Sequence, residues 1–378
     1  MALYENCFEQ SRGKTMRTIA VLGAGNSGLA MSAHLALAGH PVRLWNRSLK
    51  NIIKLQKTNL VHCTGTIEGT AQLQLVTDNM EDVLDGVELV LVTTPADSHR
   101  DIAERMAQYL TDRKTVVLNP GRTFGVIEMK HVLCKHQAPV MPVIAETQTI
   151  IYTCRKISED SVVLLSLKKD VFLSACTRAD TEKVLNQFPS CLLKFFLPAD
   201  NLLRTSLGNV GAILHCLPVL LNSGWIENNK VDFKYYYDGI TPTIANYLEK
   251  LDAERLNIAR QLGVELESVA DWMRRSYRIG GNNLYECIQN NVSYKTIDAP
   301  RSLRHRYIFE DIPCGLVAFE SLGKLVGLDL RYIPQVIDLA TKLLDFDFRA
   351  NGRTLERLGI RGATVQSVLQ VLTSGFSL

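Results

Sequence analysis

At 378 residues the chain is longer than one hydrophobic core normally serves, so two domains are expected. Hydrophobic residues make up 46% and charged residues 21%, which excludes a disordered chain and a collagen-like repeat. Forty-two Lys and Arg against 39 Asp and Glu leave +3, too little charge for a dedicated nucleic-acid binder. The nine cysteines are scattered and odd in number, with no Cys-x-x-Cys pair. That pattern suits neither a disulfide framework nor a zinc site, and it points to a soluble protein of the reducing cytoplasm with no bound metal. The most apolar stretch, Gly211 to Leu221, is shorter than the ~20 residues a membrane span requires.

Residues 1–16 are polar, lack an apolar signal core, and read as a flexible leader before a first domain at 17–200. Thr18 to Leu22 is a short buried strand that ends at Gly23-Ala24-Gly25-Asn26-Ser27-Gly28, after which Leu29 to Ala38 reads as a helix. Gly39-His40 stops that helix, and Pro41 to Trp45 forms the next strand. This strand, G-x-G-x-x-G, helix, strand order predicts a Rossmann-type doubly wound parallel sheet binding a dinucleotide. Gly23 allows the tight turn, Gly25 the approach of a pyrophosphate, and Gly28 close packing of helix on strand. Asn26 and Ser27 begin a helix whose free N–H groups and positive dipole end suit phosphate. The second strand ends Trp45-Asn46-Arg47-Ser48, without the carboxylate that accepts a ribose 2′-OH, and Arg47 suits a 2′-phosphate. NADP(H) is therefore expected over NAD(H), the alternative for Arg47 being a solvated surface charge.

Three more strands should end at the same crevice. Val87 to Val92 stops at Thr93-Thr94-Pro95, Thr115 to Leu118 at Asn119-Pro120-Gly121, and Pro142 to Ala145 at Glu146-Thr147. Thr94, Pro95, Asn119 and Gly121 are thus candidate cofactor neighbours, although these residue types are also good turn formers. Val162 to Ala175 alternates around Lys168-Lys169-Asp170 and predicts a hairpin that extends the sheet.

From about residue 201 to 378 helical periodicity takes over, predicting an all-α second domain. Leu203 to Leu221 reads as one long helix that bridges the domains, with Gly208, Gly211, Ala212, His215, Val219 and Asn222 on one face. Small residues beside one histidine leave room for a substrate or nicotinamide, or simply mark a packed helix contact. Between Pro300 and Pro313, basic residues stand next to Glu310-Asp311. One of these arginines suits a substrate carboxylate. Asp311 suits orienting an imidazole in its protonated form, or capping the following helix.

The sequence resembles the opine dehydrogenases, the octopine/nopaline dehydrogenase group. The resemblance rests on the glycine turn, Asn119-Pro120-Gly121, Glu146-Thr147 with Tyr152-Thr153-Cys154-Arg155, and Asn209 to His215. It rests further on Arg306-Tyr307-Ile308-Phe309-Glu310-Asp311-Ile312-Pro313 and Gly352-Arg353-Thr354-Leu355. The resemblance implies a helical domain of the 6-phosphogluconate dehydrogenase C-terminal-like kind. It also implies reductive condensation of an α-keto acid such as pyruvate with the amino group of an amino acid, using NAD(P)H. It assigns His215 and Asp311 to acid–base catalysis, Arg306 to a substrate carboxylate, and Glu146, Thr147 and Asn209 to substrate binding. Cys216 follows the histidine where many relatives have proline, which here comes at Pro218. A ketopantoate-reductase-like enzyme is the nearest rival, but it needs a lysine on the bridging helix, and none occurs between Lys194 and Lys230. A non-catalytic NADP(H)-binding sensor would leave the His215 and Arg306/Asp311 groups without a task. Partners are expected to be small molecules, not nucleic acid or membrane; a homodimer is compatible with the sequence.

Overall fold

A computed structural model of the protein describes residues 17–228, 230–360, 362 and 364–374; the expected leader, 1–16, lies outside them. The chain divides into two compact units. The first comprises residues 17–94, Ser98–Pro120 and Val132–Asp200, and the second comprises Pro95–Asp97, Gly121–His131 and the chain from Asn201 onward.

In the first unit, β1 (Ile19–Leu22), β2 (Val42–Trp45), β5 (Leu75–Thr77), β6 (Leu89–Val92), β7 (Thr115–Leu118) and β8 (Val143–Thr147) lie in the order β5-β2-β1-β6-β7-β8. All these neighbours pair in parallel. The order reverses between β1 and β6, the switch point at which such sheets bind ligands outside their strands' carboxyl ends. β1, β6 and β7 are buried at every position, so their sequences are unbroken apolar runs rather than alternating ones. Two strands extend the sheet past β8. These are β11 (Val171–Ala175), antiparallel to β8, and β12 (Phe196–Pro198), parallel to β11.

Helix α1 (Asn26–Leu37) is buried from Gly28 to Leu35, on every side of its axis. A helix apolar all round needs cover all round. A second sheet supplies it, ordered β4 (Gly69–Gln72), β3 (Leu60–Gly65), β10 (Ser161–Leu167), β9 (Tyr152–Ser158), each strand of which touches α1. The predicted hairpin over 162–175 is therefore not formed. β10 pairs with β9 and β3, whereas β11 belongs to the larger sheet. The crossing is held by Lys168, whose Nζ donates to the carbonyls of Ile150 and Tyr152 at 3.0 Å each. β8 also runs two residues further than expected. β11 pairs with it at Leu173–Thr147 and Ser174–Glu146, placing Glu146 and Thr147 inside a strand rather than in the turn after it.

The second unit is helical. Leu203 to Leu221 is not one helix but two, α2 (Leu202–Leu207) and α3 (Val210–Leu221), broken at Gly208-Asn209. Asn209 has ψ of 85° and uses its side chain on tertiary partners, and the freed Leu207 carbonyl accepts from Arg255 Nη1 at 2.9 Å. Pro218 lies inside α3 and has no N–H for the Leu214 carbonyl. The Tyr235 hydroxyl repairs that gap, lying 3.1 Å from Leu214 O and 2.6 Å from His215 O. Helix α4 (Pro242–Gln261), the short α5 (Arg306–Phe309) and a π-helical turn at Ile312–Leu316 pack against α3. Among the described residues no helix is long and apolar enough to cross a membrane.

Candidate active site

The glycine turn of the first unit has the features its sequence predicts. Gly23 takes φ of +115°, in the region that favours glycine. A Cβ on Gly28 would stand 1.6 Å from the Gly23 carbonyl oxygen, so only glycine lets α1 approach β1 this closely. A Cβ on Gly25 would meet nothing within 4 Å, leaving backbone open to a ligand. The N-terminus of α1 has no side-chain cap and no acidic residue in its first turn, as an anion site requires. Thr93, which the sequence pattern did not single out, donates its hydroxyl to Leu22 O and Gly23 O at 3.0 and 3.2 Å and so clamps the turn. Thr94 stands against Gly23, and Asn119 donates to Val117 O while its Oδ1 is buried with no protein partner. These features fit a dinucleotide.

Asn46 accepts from the Ala24 amide at 3.2 Å and donates to Ser48 O at 2.9 Å, joining the end of β2 to the glycine turn. A cavity of about 420 Å³ adjoins the turn, lined by Ala24, Gly25, Asn46 and Asn51 and by the charged Lys50, Lys156 and Glu159. Lys156 is fixed there, its backbone amide donating to Asn26 Oδ1 at 2.8 Å and its Nζ to Ala24 O at 3.2 Å. Arg47 is exposed and pairs with Asp101 at 3.3 Å. The cationic groups lining this cavity are thus Lys50 and Lys156, not Arg47. Glu146 and Thr147 are buried within β8, with the Thr147 hydroxyl donating to Leu118 O at 3.3 Å.

In the second unit the His215 and Asp311 side chains meet. His215 Nδ1 lies 2.7 Å from Asp311 Oδ2. An ionised carboxylate only accepts, so Nδ1 carries the proton and Nε2 faces the Tyr236 hydroxyl 3.2 Å away. Tyr307 stacks on the imidazole at 4.0 Å. Asp311 makes no side-chain cap of the π-turn that follows it, so the capping alternative is not realised. The small residues of α3 serve this assembly. A Cβ on Gly211 would stand 2.1 Å from Arg122 Nη1 and 3.0 Å from Asp311 Oδ1, and one on Gly315 would stand 2.6 Å from the Ala212 Cβ. The room expected beside Gly211 and Ala212 is therefore filled by protein, with a guanidinium against one and the π-turn against the other.

Arg122 has no counterpart in the sequence reading. Buried at 7% exposure, it donates from Nε to Glu310 Oε1 at 3.0 Å and from Nη1 to Asn209 Oδ1 at 3.3 Å, and Nη1 lies 3.3 Å from Asp311 Oδ1. Asn209, expected to bind substrate, is fully buried between Arg122 and Thr123 and holds the arginine instead. Arg306 remains half exposed at 49%, with its nearest carboxylate, Glu310 Oε2, 3.7 Å away. Pro95 and Gly121, expected beside the cofactor, group with this unit, where the Gly121 carbonyl accepts from Arg353.

Burial lowers the His215 pKa and outweighs Asp311, which favours the imidazolium; the charges of Arg122 and Arg306 lower it further. Asp311 thus favours the protonated histidine as expected, while burial sets the net direction downward. For Asp311, burial alone pushes the pKa up, but Arg122, His215 and Arg306 together hold it below the ordinary carboxylate value. Glu310 behaves likewise, burial and Asp311 opposing ionisation while Arg122 and Arg306 prevail. The resulting cluster is a neutral imidazole, two carboxylates and two guanidiniums.

A dinucleotide turn in one unit and a buried imidazole–carboxylate pair in the other define a dinucleotide-dependent dehydrogenase. Residues 198–344 match the family described as NAD/NADP octopine/nopaline dehydrogenase, alpha-helical domain, and residues 18–135 match the NAD-dependent glycerol-3-phosphate dehydrogenase N-terminus. An opine dehydrogenase of Arthrobacter sp. (strain 1C) is 36% identical over 353 residues, covering 93% of this chain and 98% of that protein. The fold is similar to octopine dehydrogenase in complex with NADH and agmatine, with a TM-score of 0.75 at 20% identity over 93% of this chain and 98% of that one. Octopine dehydrogenase with NADH and L-arginine, and with NADH and pyruvate, gives TM-scores of 0.74 and 0.72 at 20% and 19% identity, with the same coverage. NADP+-bound yersinopine dehydrogenase gives 0.71 at 13% identity, over 94% of this chain and 97% of that one. The chain belongs to the opine dehydrogenase family.

Proposed function

We propose that this protein condenses an α-keto acid such as pyruvate with the amino group of an amino acid and reduces the product to a secondary-amine dicarboxylate, with NADP(H) preferred. The observation that carries this reading is the 2.7 Å His215–Asp311 pair with half-exposed Arg306 five residues before the aspartate. The octopine dehydrogenase structures with NADH and either pyruvate or L-arginine support the two substrate classes.

The residues divide the work. Arg306 keeps donors available to a keto-acid carboxylate and fixes its orientation. His215, neutral at rest with Nε2 as acceptor, takes a proton from the substrate ammonium and frees the amine to attack the keto carbon. The same proton then passes to the carbinolamine hydroxyl, which departs as water and leaves a protonated imine. Asp311 holds the imidazole in one tautomer and stabilises its charged form while the proton resides there. Reduced nicotinamide, when bound by the glycine turn, supplies the hydride. Gly23, Gly25, Gly28, Asn26, Ser27 and the amide groups of α1 would hold its pyrophosphate. Lys50 and Lys156, rather than Arg47, line the cavity suited to a 2′-phosphate; β2 ends at Asn46 without a carboxylate, and the one carboxylate lining the cavity, Glu159, accepts from the Leu55 amide at 3.2 Å. The eight free cysteines among the described residues support a reducing, cytoplasmic location.

A matrix of keto acids against amino acids, followed by NADPH consumption and mass spectrometry of the adduct, tests the reaction. Oxidation of NADPH that needs both partners and yields their mass less one oxygen supports it. Oxidation with the keto acid alone would show a plain carbonyl reductase. Independently, kcat/KM and Kd should favour NADPH over NADH by about ten- to hundredfold, the effect of one or two charge-assisted hydrogen bonds. Lys50→Ala should erase much of that ratio, and equal affinity in the unaltered protein would defeat the NADP(H) assignment.

A further inference from the structure

Three accommodations converge on the Arg122 guanidinium. Its own backbone takes φ of +58°, a left-handed conformation unusual for a residue with a side chain. Gly211 leaves α3 bare where Nη1 stands, and Asn209 departs from helical geometry and accepts from that same nitrogen. Together they place one positive charge against both Glu310 and Asp311.

The surroundings of His215 show what that charge does. From its own helix it has Cys216. Tyr235 and Tyr236 face it from the segment before α4. Arg306, Tyr307, Glu310 and Asp311 come from α5 and the segment after it, with His305 edge-on to Tyr307 at 4.6 Å, while Cys314 of the π-turn lies by Arg122 and Glu310. Tyr235, Tyr236 and the two thiols are buried and keep their protons at neutral pH, the thiols of Cys216 and Cys314 being pushed upward chiefly by burial. The charged set is therefore two carboxylates against Arg122 and Arg306, and only Arg122 touches both carboxylates within 3.3 Å.

We propose that Arg122 is a positioning residue: it holds Asp311 ionised and in line with His215 Nδ1, and by balancing the carboxylate pair it sets the pH at which His215 exchanges its proton. This rests on the acid–base role of His215, and the measurement keeps the two claims apart. His215 is titrated by NMR in protein with ¹³C-labelled histidine, its signal assigned by loss in His215→Asn, alongside the pH profile of kcat/KM. In Arg122→Gln the carboxylates lose their compensation, and the His215 midpoint should rise by about one pH unit. In Glu310→Gln the guanidinium faces Asp311 alone, and the midpoint should fall. Arg122→Lys, which keeps the charge, should return it to within about 0.3 units of the parent. Opposite shifts in the two Gln variants, mirrored in the pH profile, support the proposal. No shift, or shifts of the same sign, overturns it. If Arg122→Gln does not fold, Glu310→Gln decides alone, and an unchanged or raised midpoint rejects the charge balance. Should the shifts appear while His215→Ala keeps full turnover, the catalytic reading falls and the positioning of Asp311 by Arg122 stands.

Discussion

Asp311→Asn is expected to lower kcat by about 10³- to 10⁴-fold while leaving dinucleotide affinity within a factor of two, by analogy with the loss of a buried histidine-orienting carboxylate elsewhere. The amide keeps the volume and one acceptor oxygen but removes the charge that stabilises an imidazolium at a site where burial already disfavours it. It also offers an N–H where only an acceptor serves, so the ring can settle with Nδ1 bare and Nε2 protonated, unable to accept from the substrate. His215→Ala should cost a similar factor, and the double variant little more, because the two side chains act as one unit. Steady-state kinetics with saturating substrates, together with fluorescence titration of NADPH, measures both quantities. A fall in kcat of less than tenfold would remove Asp311 from the chemistry. Arg306→Ala should instead raise the keto-acid KM as well as lowering kcat, since it orients the substrate without exchanging a proton.

The largest effect on stability is expected at Arg353, from the Gly-Arg-Thr-Leu string. Its guanidinium, 2% exposed, pairs with Glu128 at 2.8 Å and donates to the carbonyls of Gly121, Thr123 and Ala96 at 3.0, 2.9 and 2.9 Å. One side chain thus gathers the Pro95–Asp97 and Gly121–His131 segments into the helical unit to which they belong. Arg353→Ala leaves a buried carboxylate without its ion pair and three carbonyls without this donor, and should destabilise by about 3–5 kcal/mol. Adding Glu128→Gln should recover part of that loss by removing the buried charge that Arg353 balances. Urea denaturation followed by circular dichroism reads both. A loss below about 1 kcal/mol would mean that water replaces these bonds without penalty. Because Arg122 lies in the same segment, the variant should also lose activity before it loses its fold.

Much of the site was legible because its signals are local. The strand, glycine turn and helix of the dinucleotide site follow one another within about twenty residues, and each glycine answers a steric demand made by its immediate neighbours. His215, Arg306 and Asp311 were reached through short strings that resemble a family, and the last two lie on one short segment. Asn209 lies in a stretch that the resemblance singles out, but its contact with Arg122 is not legible there. Its partner, Arg122, lies 87 positions away and belongs to a turn whose sequence shows only that the chain bends.

Periodicity and turn chemistry in the chain alone determined a doubly wound parallel sheet, a helical second half and a glycine turn suited to phosphate, and the resemblance to a family added a histidine with an aspartate to orient it. Packing between distant segments decided the rest: the split of β10 and β11 between two sheets, the break at Gly208-Asn209, and the burial of Arg122 against two carboxylates. Local patterns state which face of an element is apolar, but not which segment will cover it or which charge will stand opposite. The state of the imidazole depends on those facing charges and on exclusion of water, and both arise only when residues up to 189 positions apart are brought together.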